Sequence, residues 1–164
     1  MELFSSIRNG NVEQVRMLVA ENNNLINCYD GSGYTPLLTA IFSKQWEVVK
    51  VLLDYGADLN LPEKLKGQCA IQYAAVFENF ELLELLFSKR KNVNVDFEDN
   101  FGNTALWTAT FNAGKMAAKE DNFKIVQYLL KVGSDFNHKN KAGKSPLDFA
   151  KQIKSERLLR LFQC

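Results

Sequence analysis

The residues best suited to catalysis are few and scattered along this 164-residue chain. His138 is its one histidine and stands among Asn137, Lys139 and Lys141. An imidazole works as a general base or metal ligand only with a nucleophile, an orienting carboxylate or further ligands beside it. Nothing near His138 has that spacing, so it is expected to be a polar surface residue. Cys28, Cys69 and Cys164 are odd in number and far apart. They suit neither a disulfide framework nor a zinc site, and this usage fits a reducing compartment. Asp96, Glu98 and Asp99 crowd three carboxylates into VDFEDN. A glycosidase-type pair needs two carboxylates opposed across a cleft, which one short segment does not provide. The glycines include no G-x-x-x-x-G-K-S/T phosphate loop. An enzyme reading has no residues to stand on, and neither cofactor nor metal is expected.

What the chain does hold is rings: 12 Phe, 5 Tyr and 2 Trp. Large aromatics with a charged surround are the chemistry of macromolecular recognition. The set singled out is Tyr34, Phe42, Phe77, Phe101, Trp107 and Phe111, with Asp30, Glu98 and Asp99 on one side and Lys139, Lys141 and Lys144 on the other. Roughly half of such rings are expected to pack in the core, where aromatics are equally at home. Basic and acidic residues balance at 20 and 19, net charge +1. No global field therefore favours nucleic acid or an anionic membrane, and such binding would need a local patch. The first residues lack the basic start and apolar run of a signal peptide, and no stretch approaches the ~20 apolar residues of a membrane span. The expectation is a cytoplasmic protein, monomeric when free.

Positioning those rings falls to a repeated phrase. GYTPLLTA starts at Gly33, GQCAIQYA at Gly67, GNTALWTA at Gly102 and GKSPLDFA at Gly143. The shared alanines are Ala40, Ala74, Ala109 and Ala150, so the spacings are 34, 35 and 41. A period near 33 residues marks stacked helix–turn–helix units that bury their apolar faces only against neighbours. Within a unit, Thr35 or Ser145 is placed to cap a helix that opens on proline. A second helix follows, with apolar residues at helical spacing: Val48, Val49, Leu52 and Leu53, then Leu82, Leu83, Leu85 and Leu86, then Ile125, Val126, Leu129 and Leu130. Gly56 and Gly133 stop two of these helices; Arg90 stands at that place in the unit between. The fold expected is all-α, a solenoid of about five helix pairs in one domain over 1–164. The units are about 1–30 as a cap, 31–64, 65–99, 100–140 and 141–164 as a second cap.

GYTPLLTAIFSKQWEVVKVLLDYGADLN and GNTALW…KIVQYLLKVGSDFN resemble ankyrin repeats, and the resemblance covers essentially the whole chain. It implies short β-hairpin-like fingers at the unit junctions and a concave groove, lined by fingers and first helices, that binds another protein. On that mapping the partner-binding residues are Tyr34, Phe42, Phe77, Glu98, Asp99, Phe101, Trp107, Phe111, Asn112 and Lys141. The family's histidine after T-P-L is replaced in each unit, by Leu38, Gln72, Trp107 and Asp148. Its inter-unit tie is therefore expected to give way to apolar packing.

The unit at 100–140 breaks the period. Ala109 to Leu129 spans 20 residues where Ala40 to Leu52 spans 12, which puts eight extra residues near 113–122, AGKMAAKEDN. A tolerated surface loop is one account; a partner-contacting loop, with AAKE lengthening a helix, is the other. Gly102, Asn103, Leu106, Trp107, Phe111 and Asn112, with this insertion, resemble small bacterial ankyrin proteins encoded beside toxin genes. That narrower resemblance implies an immunity or antitoxin role with a toxin domain as partner. The alternative is a regulatory adaptor or host-directed effector.

Overall fold

Three of the first helices begin where a hydroxyl can replace a missing backbone partner. Thr35 Oγ1 accepts from Leu38 N at 3.2 Å, and Pro36 opens the helix. Thr104 Oγ1 accepts from Trp107 N at 3.3 Å. Ser145 and Asp148 close a reciprocal box: Ser145 Oγ accepts from Asp148 N, and Asp148 Oδ2 accepts from Ser145 N, both at 3.1 Å. The computed structural model describes residues 2–89 and 92–163; Arg90 and Cys164 lie outside them. Among the described residues ten α-helices follow in consecutive pairs: α1 (Glu2–Arg8), α2 (Val12–Glu21), α3 (Pro36–Phe42), α4 (Trp46–Asp54), α5 (Ala70–Val76), α6 (Phe80–Lys89), α7 (Ala105–Ala113), α8 (Glu120–Lys131), α9 (Pro146–Gln152) and α10 (Glu156–Leu161). A 3-10 turn, Asn23–Asn27, follows α2. The fold class is all-α, as the sequence predicts.

By its internal contacts the chain divides into two units, Met1–Ala70 with Leu85–Val93, and Ile71–Glu84 with Asn94–Cys164. In the first, Phe4, Ile7, Leu37, Ile41, Leu52 and Leu86 are fully buried. In the second, Ile71, Leu83, Leu106, Val126, Leu129 and Leu158 form the core. The four repeat alanines are 0–2% exposed, which explains a residue without a longer side chain at those sites. Of the apolar residues predicted for the second helices, only Leu85 and Leu130 are not fully buried.

The expected fingers are turns and not strand pairs; no strand occurs among the described residues. Asp30 N donates to Tyr34 O at 2.9 Å, Asp99 N to Asn103 O at 3.0 Å and Asn140 N to Lys144 O at 3.0 Å. Neighbouring turns are joined by Lys64 N to Gly33 O in the first unit and by Lys141 N to Phe101 O in the second. Single bonds of this kind are too short a ladder to register as a strand. Gly102 sits at the second of these junctions, with φ +73°. A Cβ there would stand 2.9 Å from Lys141 N and 3.3 Å from Asn140 Cα. Gly102→Ala is expected to cost about 1–3 kcal/mol through left-handed strain and backbone collision. A thermal melt indistinguishable from that of the parent protein would contradict this.

The turns between paired helices hold a feature with no glycine to announce it. Lys44, Glu78 and Lys154 adopt φ of 55°, 54° and 54° at matching places, where the first helix pair has Gly10 at 69°. The extra residues near 113–122 are shared out. α7 has nine residues where α3, α5 and α9 have seven, and α8 has 12 where α4 has nine and α6 has ten. Of AAKE only Glu120 is helical. Asn122, buried, accepts from Lys119 N and pins the start of α8. Arg157 of α10 pairs with Glu120 and lies 3.6 Å over the Phe123 ring. The guanidinium hydrogen bond holds the Glu120 carboxyl below its ordinary pKa.

Candidate functional site

The selected aromatics fall into the two units. In the first, Tyr34 ends a finger turn and meets Phe42 of α3 edge to face, with centroids 4.9 Å apart. Tyr34 is half-buried and Phe42 is 40% exposed. With Arg8, Asp30, Ser32, Thr39 and Ser43 they line an open hollow of about 250 Å³. Asp30 is held from within: Oδ1 accepts from Ser32 N and Tyr34 N, and Oδ2 pairs with Arg8 at 2.8 Å. A second, polar hollow of about 680 Å³ in this unit includes Asn27, Asp58, Asn60 and Asn92. Its side chains bond one another's backbones, Asp58 N to Asn27 Oδ1 and Asn60 Nδ2 to Asn92 O, so it reads as a structural seam.

The second unit holds the larger aromatic group. Phe111 near the end of α7 and Trp107 one turn earlier both meet Phe149 of α9, at 5.4 and 5.8 Å between centroids. Phe111 is 48% exposed, whereas Trp107 and Phe149 are half-buried. The helical spacing of Trp107 and Phe111 puts both on one face. Phe101, on the finger turn before α7, is 59% exposed, and Phe77, just after α5, is 45% exposed. Phe77 also packs on Tyr73, 5.7 Å away. Lys115 Nζ sits 5.6 Å from the Phe111 centroid, a cation over an aromatic face.

Two residues expected at the partner-facing surface are instead buried. Asp99 is 6% exposed; its Oδ1 accepts from Phe101 N at 2.8 Å and Asn103 N at 2.9 Å. It therefore builds the turn that carries Phe101 and is not a free rim charge. Asn112 is also 6% exposed and donates from Nδ2 to Ala75 O at 3.0 Å, tying α7 to α5. Both are satisfied within the fold, as buried polar groups must be. Glu98 stays exposed, with Oε1 3.3 Å from His138 Nε2, so the lone histidine has a carboxylate neighbour the sequence did not suggest. Lys141 Nζ donates to Asn100 O at 2.8 Å, and its exposed stem crosses Gly102. The inter-unit tie expected to be lost persists at Gln72, whose Nε2 donates to Asn103 O at 2.8 Å and Phe97 O at 3.3 Å.

The turn-building Asp and Asn residues had a sequence signal. Asp30, Asp99 and Asn140 each stand three residues before a turn glycine, Gly33, Gly102 and Gly143, the spacing at which an Asx side chain captures backbone N–H groups. Asp148 works similarly at a helix start. Its bonds from Ser145, with smaller help from Lys139 and Lys144, hold its carboxyl below the ordinary aspartate range. A depressed carboxyl contributes stability above the unfolded aspartate pKa of about 3.9, lost as pH falls from there through the lower folded value. Asp148→Asn is thus expected to be less stable than the parent at pH 7, with the gap closing in acid. Melts at pH 7 and pH 3 check this; a gap that stays constant would contradict it.

Comparison with known proteins agrees with this architecture. The family model described as ankyrin repeats (3 copies) matches residues 3–63 and again 60–140. The chain is 30% identical to a mitochondrial disaggregase of Bos taurus over 161 residues, 96% of this chain and 22% of that protein. It is 25% identical to a putative ankyrin repeat protein of Rickettsia felis over 138 residues, 84% of this chain and 42% of that one. It is 32% identical to the ANK repeat-containing protein nipk-1 of Caenorhabditis elegans over 129 residues, 75% of this chain and 21% of that one. The chain thus spans between about a fifth and two fifths of these relatives, and none of the three names refers to toxin immunity.

Proposed function

The chain belongs to the ankyrin-repeat family, and on that premise we propose that it acts by holding another protein against the aromatic face of its second unit, without chemistry of its own. Ankyrin repeats make up a protein–protein interaction module. The observation that carries the finer statement is the exposure of Phe77, Phe101 and Phe111 at 45%, 59% and 48%. Large rings left this open cost solubility in a monomer and are the anchors of interfaces. Phe149 packs against Phe111 and is itself met by Trp107, so the anchor is set in place before a partner arrives. Pre-organisation of this kind spares the ordering cost of binding.

The specific form we favour is neutralisation: an immunity-like protein that occludes a cognate toxin in the cytoplasm. Its support is the run Gly102, Asn103, Leu106, Trp107, Phe111 and Asn112 with the adjoining 113–122 segment, of which Phe111 is presented and Lys115 flanks it. No helix among the described residues is long and apolar enough to cross a membrane. The test is to co-express the chain with the product of the gene beside its own and assay that product's toxicity. Neutralisation by the parent protein and its loss in Phe111→Ala would support the reading. A bound product that keeps its full activity would replace neutralisation with the adaptor role.

A further inference from the structure

Exposed lysines stand at both ends of the aromatic face. Lys139 and Lys144 flank Asp148 at the start of α9, one residue from Phe149. At the other end of the helices, Lys115 lies over Phe111. Lys154 follows Ile153, whose Cδ1 would lie 2.8 Å from a Cβ at Gly114. All four lysines are exposed. Of the acids in the same segments, Asp99 is held by its own turn, Asp148 by Ser145 and Glu78 by Lys115 and Lys119 at 3.9 and 3.6 Å, while Glu98 stays exposed beside His138. Lys139, Lys144 and Lys154 have no carboxylate within salt-bridge distance among the described residues.

From this juxtaposition we propose that the partner segment seated on the face is an acidic one, with apolar side chains against Phe111 and Phe149 and carboxylates toward the lysines at both helix ends. The inference rests on the binding face proposed above and adds the chemistry of its occupant. Complementary charge raises the encounter rate and rejects basic competitors, while the rings supply the affinity. Protein is favoured over a nucleic acid strand because Trp107 meets Phe149 edge to face and Phe111 is tilted 41° to it, so this cluster offers no run of parallel faces for successive bases.

The experiment is selection of a random twelve-residue peptide display library on the immobilised full chain. Recovered peptides are then titrated by fluorescence anisotropy against the parent, Phe111→Ala, and the double variant Lys139→Glu with Lys144→Glu. Circular dichroism and a melt confirm that each variant is folded. The expected result is enrichment of Asp and Glu together with apolar residues. Affinity should fall about tenfold or more in the double variant and weaken with added salt. Recovered peptides that lack acidic enrichment, or that bind the double variant as they bind the parent, overturn the inference. If such peptides still lose binding to Phe111→Ala, the face stands and only its acidic preference fails. If binding ignores Phe111→Ala, the face itself fails. An empty selection counts against the inference, as does tighter binding of a twenty-nucleotide single-stranded DNA than of any recovered peptide.

Discussion

Leu86→Ala is expected to lose about 2–5 kcal/mol of unfolding free energy, the cost of removing a branched side chain from a site that cannot collapse around the gap. Leu86 is 0% exposed in α6, and Leu52 and Leu53 of its unit's core are 0% and 2% exposed. Loss on that scale is a large fraction of the 5–15 kcal/mol typical of a whole domain. Repeats interact with nearest neighbours only, so a lesion in an interior helix weakens coupling on both sides. The urea transition followed by circular dichroism should move to lower concentration and broaden or split. A midpoint and slope matching those of the parent would show that the α6 contacts do not matter as the burial implies.

Phe111→Ala is expected to weaken partner binding by more than about 2 kcal/mol while leaving the melt nearly unchanged. The asymmetry follows from its surroundings. Nearly half the ring is exposed, so folding buries less of it than of a core residue, yet Phe149 fixes its orientation at 5.4 Å. Trp107 is the poorer probe, because its half-buried ring supports Phe149 and its removal disturbs the fold as well. Phe101 is the useful comparison: it is the more exposed, and its backbone, not its ring, is held by Asp99. Truncating both rings singly and measuring heats of binding separates an anchor from a bystander.

Much of this architecture was legible in the sequence because its signals are local and repeated. Thr35 and Ser145 before proline, and alanines at a steady period, define helix starts and close contacts whatever lies elsewhere in the chain. The buried roles of Asp99 and Asn112 were harder to see, since solvent exposure is decided by which neighbours fold back onto a residue. Asn112 needs the carbonyl of Ala75, 37 positions away, before its burial makes sense. Gln72 likewise looks like a lost histidine until the carbonyls of Phe97 and Asn103 come within reach. The left-handed turns at Lys44, Glu78 and Lys154 carry no signature in residue type, because the helices on either side impose the conformation and the residue bears the strain. The aromatic set was chosen by register, and register selects a face without telling which rings on it are open. Phe111 and Trp107 share a face and both meet Phe149, yet only Phe111 is left exposed.

The most direct test of the proposed site is amide hydrogen exchange of the full chain, free and bound to its co-purified and identified native partner. The account predicts that protection on binding concentrates in the finger turn and α7 around 98–115 and in the last finger and α9 around 139–152. Little change is expected along α8, whose residues 120–131 do not contribute to the aromatic face. Protection confined to α8 and α10, or to the first unit, with 98–115 exchanging as in the free chain, would contradict the account and place the partner elsewhere.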